Sequence, residues 1–128
     1  MKKFSLFLIA FTLILVTPFS SVNAAGNGRW DPIGEYGLTY NSTYGWWDTL
    51  NVHSTGGDFR MTTWTTGVRF ELWEYDPGSN NDDFVGYTTD MSHTFRNIGK
   101  FVDGSNNRAE FYARKYVGHG SDSVYFSD

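Results

Sequence analysis

The chain has 128 residues and a formal net charge of −4, from 10 basic and 14 acidic side chains. This length supports one domain, and the acidic balance disfavours nucleic acid and anionic lipid as partners, since both attract basic surfaces. The absence of cysteine excludes a disulfide framework, so packing must hold the fold, and 11 Phe, 8 Tyr and 5 Trp can supply it.

The amino-terminal stretch has the features of a secretory signal peptide. Two lysines precede an uncharged run at 4–16, and small side chains lead to a cleavage point after Ala24. The run is shorter than the roughly 20 residues that a helix needs to cross a bilayer, which disfavours an uncleaved anchor. The sequence predicts a cleaved signal peptide at 1–24 and a single domain at 25–128 without a transmembrane segment. The product would be secreted, either free or associated with the cell wall.

Beyond Trp30 the apolar residues alternate with a period of two, without the three- and four-residue spacing of a helix. Clusters of Gly, Asn, Asp and Ser separate the alternating stretches, as turns require. Seven or eight short strands predict an all-β fold, a two-layer antiparallel β-sandwich or, alternatively, a small β-barrel. The predicted strands are Ile33–Tyr40, Trp46–His53, Asp58–Trp64, Val68–Tyr75, Phe84–Asp90, His93–Asn97, Arg108–Tyr116 and Val124–Ser127.

The stretch YGLTYNSTYGWW at 36–47 interleaves aromatic residues with Asn, Ser, Thr and Gly. Flat aromatic faces beside amide and hydroxyl groups suit sugars, whose apolar C–H faces can stack on the rings. Most of the aromatic residues must nevertheless build the core of a domain that has no disulfide. Some of the tryptophans are therefore predicted to bind an extracellular glycan. The candidates are Trp46, Trp47, Trp64 and Trp73.

The tetrapeptide GSNN occurs twice, in DPGSNNDDF at 76–84 and in DGSNNRAEF at 103–111. Acidic residues flank the first copy on both sides, and residues two apart on a strand share a face, so these side chains gather at one hairpin tip. Carboxylate oxygens are the ligands that Ca²⁺ uses. The candidate calcium ligands are Glu74, Asp76, Asp82 and Asp83.

The second copy differs in charge from the first. Only Asp103 precedes it, and Arg108 follows it and would repel a cation, so we expect an ordinary hairpin turn there. The favoured interpretation of both copies is that they are turns alone and that the protein has no cofactor; Ca²⁺ at the first copy is the alternative, and a Ca²⁺ site shared by both copies is a third.

Two resemblances involve these loops. The segment WEYDPGSNNDDFVG at 73–86 resembles the third calcium loop of C2 domains. This resemblance implies Ca²⁺ binding at the edge of a β-sandwich, with Glu74 and Asp76 as the first acidic pair and Asp83 as the last carboxylate. The longer pattern, continuing through FRNIGKFVDGSNNRAEFYARKY, is similar to small secreted β-sandwich proteins of Gram-positive bacteria without an established activity. That similarity implies no catalytic residues.

The sequence offers little for catalysis. The histidines lack metal-site spacing, and GHGSDS at 118–123 lacks the context of a nucleophile elbow, so it is read as a turn. Glu110 and Arg114 share a strand face and precede His119, a set that small secreted ribonucleases use, but in an acidic protein without a catalytic motif a solvated ion pair is the favoured explanation.

The predicted function is that of a secreted, non-enzymatic protein that binds cell-wall or extracellular glycan, with or without Ca²⁺. The alternatives are a bacteriocin-like effector and a structural extracellular protein. An aromatic surface exposed on one face would favour glycan binding, since monomers rarely expose large apolar patches without a purpose.

Overall fold

The computed structural model describes residues 29–78, 80–116 and 122–128. These ranges contain antiparallel strands and one short 3₁₀-helix, Ile98–Phe101, and they confirm the all-β prediction. Within them, no helix is long and apolar enough to cross a membrane. The predicted signal peptide and the first four residues of GHGSDS, at 118–121, lie outside the described residues. The strands are β1 Pro32–Gly37, β2 Thr39–Asn41, β3 Trp46–Asp48, β4 Val52–Ser54, β5 Phe59–Thr63, β6 Phe70–Glu74, β7 Asp83–Thr88, β8 Ser92–Phe95, β9 Ala109–Lys115 and β10 Ser123–Ser127.

Two open sheets form a sandwich rather than the alternative closed barrel. The first sheet has the strand order β1-β10-β5-β8, and the second has the order β2-β3-β9-β6-β7, with β4 also paired to β9. Strand β9 is the centre of the second sheet, because β6 lies along one side of it and β3 and β4 share the other.

Aromatic residues from both sheets fill the space between them. The ring of Phe59 in the first sheet lies 4.8 Å from the ring of Phe111 in the second, measured between centroids. Phe101 of the 3₁₀-helix packs edge-on against Phe111 at 6.0 Å and covers part of the core. Rings of this size bury about 150–250 Å² each, so they supply the packing that a chain without cysteine needs.

Strand β6 shows the alternation that places the candidate site. Phe70 and Leu72 point into the core, as predicted, and Trp73 points to the outer face of the second sheet. Two acidic residues of this strand are also buried: Glu71 beneath the outer face and Glu74 at the end of the strand. The sequence pattern did not predict these buried carboxylates.

Two of the predicted strands are each divided in two. The stretch predicted at 33–40 changes sheets, because its first part pairs with β10 and its second part with β3. The stretch predicted at 46–53 is interrupted at Thr49, whose N–H donates to the carbonyl oxygen of Ala113 at 3.1 Å. The Thr49 hydroxyl accepts the N–H of Ala113 at 3.0 Å, so a side chain takes the place of a backbone carbonyl in the ladder.

Candidate functional site

A cleft of about 860 Å³ opens on the outer face of the second sheet. Trp73 of β6 and Tyr112 of β9 are register partners, and Asp48 of β3 is the partner of Arg114 on the same face. Aromatic rings and polar side chains alternate along the lining. Its rings are those of Tyr44, Trp46, Trp73, Tyr75 and Tyr112.

Arg114 lies at the centre of this face and is buried. Its guanidinium carbon is 3.8 Å from the ring centroid of Trp73 and 4.3 Å from that of Trp46. One guanidinium nitrogen donates to Glu71 at 2.9 Å. Because a flat guanidinium packs well against ring faces, Arg114 fixes the positions of both tryptophans.

The carboxylate of Glu71 holds Arg114 and Trp73 in place. Its carboxylate also accepts hydrogen bonds from Arg69 and from the indole N–H of Trp73, both at 2.9 Å. Burial opposes ionisation of Glu71, but the hydrogen bonds from Trp73, Arg114 and Arg69 outweigh burial and lower the pKa of this carboxyl. The site therefore holds a charged pair beneath the aromatic surface.

Further aromatic rings extend the cleft over the outer face. Tyr44 stacks on Trp46 with 4.7 Å between centroids and 8° between planes, and its side chain is 61% exposed. Tyr116 meets Trp46 edge-on at 5.9 Å. Phe84 and Tyr87 of β7 are the register partners of Trp73 and Glu71 and are exposed. The exposed rings on this face are those of Tyr44, Tyr75, Phe84, Tyr87 and Tyr116.

The two carboxylates of the cleft are both held by hydrogen bonds. Asp48 accepts the indole N–H of Trp46 at 2.9 Å and the amide of Asn41 at 3.2 Å. Asp82 accepts the hydroxyl of Tyr112 at 2.8 Å. Burial and the hydrogen bond to Asp82 raise the pKa of Tyr112, so this hydroxyl stays protonated and donates.

The structure brings together two of the four candidate tryptophans. Trp46 and Trp73 line the cleft. Trp47 points to the other side of the sheet and packs against the core and Tyr40. Trp64 lies next to the first sheet, where its indole N–H donates to Glu35 and Ser123. In the ribonuclease-like set, Arg114 forms an ion pair with Glu71. His119 lies outside the described residues.

A second cluster, of carboxylates, lies at the end of β6. Among the described residues, two groups of three carboxylates have oxygens within 4.8 Å of one another, and both contain Glu74. One group adds Asp76 and Asp83 from the first GSNN hairpin. The other adds Asp103 from the second GSNN turn and Glu110 from β9. We call the five residues together the acidic cluster.

Glu74 is the centre of the acidic cluster. The residue is 1% exposed, and its Oε1 has no hydrogen-bond partner among the described residues. Burial, followed by the charges of Asp76 and Asp103, raises the pKa of Glu74 to about 7. Desolvation, with Asp103 as the first of the neighbouring carboxylates, also raises the pKa of Asp76. Carboxylates are therefore concentrated here, and among the described residues the one ion-pair contact of the cluster is that of His53 Nδ1 with Glu110 at 3.5 Å.

The sequence identified part of this cluster. Glu74, Asp76 and Asp83 come together as predicted, whereas Asp82 lies outside both groups and binds Tyr112 instead. Asp103 and Glu110 were not predicted to join the cluster, because the second turn was expected to be a turn only. The repeated GSNN tetrapeptide could have indicated Asp103 and Glu110, because both copies lie beside Glu74.

The two GSNN turns have different backbones. In the first, Gly78 and Asn80 have positive φ angles of 122° and 61°. In the second, Gly104 and Asn107 have φ angles of 63° and 52°. The left-handed backbone conformation falls on the first asparagine of the first copy and on the second asparagine of the second copy. The same tetrapeptide therefore positions its neighbours differently in the two turns. Asn tolerates this conformation better than most residues with a Cβ.

Comparison with known proteins gives one family. A family model described as the YndA coiled coil domain matches residues 32–126. The chain is 42% identical over 132 aligned positions to a Bacillus subtilis (strain 168) protein described as uncharacterized protein YndA. That alignment covers 95% of this chain and 94% of the relative. No solved structure shows a significant match.

The family description mentions a coiled coil, and the described residues do not form one. A coiled coil needs long helices with apolar residues in a seven-residue repeat. Residues 32–126 contain, where described, strands with two-residue alternation and a single four-residue 3₁₀-helix. The fold of this member is a β-sandwich.

Proposed function

The chain belongs to the family described as the YndA coiled coil domain, and we propose that this member binds an extracellular glycan in the cleft of its second sheet. One observation carries the proposal. Five exposed aromatic side chains and the half-buried Trp46 and Trp73 share one outer face beside amide and carboxylate groups. Large apolar patches of this kind mark binding surfaces in monomeric proteins.

The chemistry of the lining fits a sugar better than a purely apolar ligand. Sugar rings have apolar C–H faces and polar edges, and here ring faces alternate with Asn41, Asn51 and Asn80. A ligand could stack on Tyr44 while its hydroxyl groups bond to these amides. An apolar ligand would remove water from the amides of Asn51 and Asn80 without replacing its hydrogen bonds, at a cost in free energy, whereas Asn41 already donates to Asp48.

The cleft is also preorganised. The indole N–H groups of Trp46 and Trp73 already donate to Asp48 and Glu71, and Arg114 lies against both rings. Rings fixed in this way lose little conformational entropy when a ligand binds. The hydrogen bonds that occupy Asp48 and Asp82 favour binding over acid–base catalysis, since both carboxylates already have donors.

We propose further that the protein acts outside the cell, free or associated with the wall. This part rests on the signal peptide predicted at 1–24. No contact in the described residues favours a bacteriocin-like effector or a purely structural role, and both serve as outcomes of the test.

The test is retention of the purified protein on insoluble peptidoglycan, cellulose and chitin. The cleft variant is Tyr44→Ala, because Tyr44 is exposed and its loss leaves the core intact. The matched control is Trp64→Ala, whose side chain is 60% exposed and lies outside the cleft. Losing one stacked ring should weaken retention roughly 2- to 12-fold, from about 0.5–1.5 kcal/mol.

Retention of wild type and of Trp64→Ala, with weaker retention of Tyr44→Ala, would support the proposal. Absence of retention on all three polymers would contradict it. A killing assay on related strains then separates an effector from a structural protein.

A further inference from the structure

The two GSNN turns approach each other at one end of the sandwich, on either side of Glu74. Asp76 and Asp83 come from the first turn, and Asp103 precedes the second. The N–H of Tyr75 donates to the carbonyl oxygen of Glu110 at 2.7 Å, which continues the pairing of β6 with β9 into this region. The backbone therefore fixes the distance between the two turns.

The separation of the oxygens suits one metal ion. Oxygens that bind the same Ca²⁺ at about 2.3–2.6 Å cannot be more than about 5.2 Å apart. Within each group of three, the oxygens lie within 4.8 Å of one another. The five carboxylates form two such groups rather than one, and Glu74 is the residue that both groups share. Each group by itself meets the distance limit for one ion.

The buried oxygen of Glu74 is an independent indication of a ligand. Its Oε1 is enclosed by protein and has no hydrogen-bond partner among the described residues, although buried polar atoms nearly always have one. A carboxylate oxygen of Glu74 lies within 4.8 Å of carboxylate oxygens of its neighbours in each group. A buried carboxylate among other carboxylates costs stability unless a cation or a proton balances its charge.

We propose that the acidic cluster is a Ca²⁺ site shared by both turns, with Glu74 as the central ligand. Asp76 and Asp83 bind from the first turn, and Asp103 and Glu110 bind from the other side. Five carboxylates can supply the six to eight oxygens that Ca²⁺ takes, since a carboxylate binds through one or both of its oxygens. The ligands are all hard oxygens, which excludes a preference for Zn²⁺.

We expect the site to prefer Ca²⁺ to Mg²⁺, because its ligands come from two different turns. Mg²⁺ requires nearly ideal octahedral geometry at about 2.0–2.1 Å, whereas Ca²⁺ accepts irregular shells. Two turns with different backbones provide an irregular shell. Asn106 further supports the site, because its amide donates to Glu110 at 2.8 Å and holds that side chain.

This site is independent of the proposed glycan cleft. The acidic cluster shares no residue with the cleft lining, although Asp82 links them through the N–H of Asp76 and the hydroxyl of Tyr112. Loss of Ca²⁺ binding would therefore leave the glycan proposal standing, and failure to bind glycan would leave the Ca²⁺ site standing.

The experiment is isothermal titration of the chelator-treated protein with CaCl₂ and, separately, with MgCl₂, together with melting curves in both salts. We expect Ca²⁺ to bind with a Kd of roughly 0.1–1 mM, the range of extracellular modules, and to raise the melting temperature. Equal effects of Mg²⁺ would overturn the assignment to Ca²⁺. Absence of Ca²⁺ binding at 10-fold excess over about 1 mM would overturn the site.

Two variants, Asp103→Asn and Glu74→Gln, each remove a proposed ligand, and the control Asp90→Asn does not. Asp103→Asn should weaken Ca²⁺ binding by about 10–100-fold, the loss seen even for supporting groups of a metal site. Asp103 is exposed, so this variant should fold even if Glu74→Gln does not. The control Asp90→Asn makes the same change at an exposed carboxylate outside the cluster and should bind as wild type does. Unchanged binding by Asp103→Asn would overturn a site shared by both turns.

Discussion

At the scale of single residues, the pair of Glu71 and Arg114 decides how the aromatic face is built. Buried ion pairs are not strongly stabilising by themselves, because desolvation offsets the attraction between the charges. Glu71 overcomes this cost by accepting hydrogen bonds from Arg69, Trp73 and Arg114. The pair therefore contributes to the geometry of the cleft more than to the overall stability.

The lowered pKa of Glu71 predicts a pH dependence. A carboxyl group with a lower pKa in the folded state stabilises the fold above its unfolded pKa and loses this effect as pH falls through the folded pKa. Glu71→Gln cannot ionise. We expect the difference in unfolding free energy between wild type and Glu71→Gln to be constant near neutral pH and to shrink below about pH 4.5, the ordinary value for this group.

Urea unfolding at a series of pH values checks this expectation. The difference should be taken pair by pair at each pH, so that the titration of other groups cancels between the two proteins. A difference that stays constant down to pH 3 or so would contradict the lowered pKa of Glu71.

At the scale of elements, the close contact of β7 with β8 depends on Gly86. A Cβ at this position would lie 2.9 Å from Cε1 and 3.2 Å from Cδ1 of Phe95, which is buried in the core. Gly86→Ala should therefore lower the free energy of unfolding by about 1–3 kcal/mol, the usual cost of overpacking. The loss should appear in the midpoint of urea unfolding.

Gly37→Ala is the matched control. Gly37 lies at the end of β1, and a Cβ there would meet no heavy atom within 4 Å. This variant should be neutral or slightly stabilising, because alanine reduces the freedom of the unfolded chain. Equal losses in both variants would show that glycine matters in these strands for reasons other than the contact with Phe95.

The comparison of sequence and structure is clearest for the elements. Alternation predicted the inward face of β6 because Phe70 and Leu72 depend only on the period of a strand. It could not predict the interruption at Thr49, since that break arises from a hydrogen bond with Ala113, 64 residues away. Strand breaks of this kind depend on the partner strand rather than on local residues.

The dependence on partner strands also explains which residues of the candidate sites could be predicted from the sequence. Glu74, Asp76 and Asp83 could be grouped from the sequence because one hairpin contains all three. Asp103 and Glu110 could not, because their position beside Glu74 depends on the register between β6 and β9. Trp46 and Trp73 were among the predicted residues and line the cleft, but their pairing through Arg114 is likewise a property of β3, β9 and β6 together.

At the scale of the whole molecule, local and long-range pairings are distributed unequally between the two sheets. The second sheet contains the hairpin β6–β7, to which β9 is added about 35 residues after β6 in the chain. The first sheet brings together strands from the beginning and the end of the domain. Every pair in it joins strands that are distant in sequence.

The place of β10 in the first sheet has a consequence for the order of folding during synthesis. Strand β10 lies between β1 and β5 and is the only link between them in that sheet. While the chain emerges with its amino terminus first, β6, β7 and β9 can already pair, whereas β1 must wait for residues 123–127. We therefore expect the second sheet to form first and the sandwich to close only after β10 has emerged, which leaves the nascent chain without a sealed core until then.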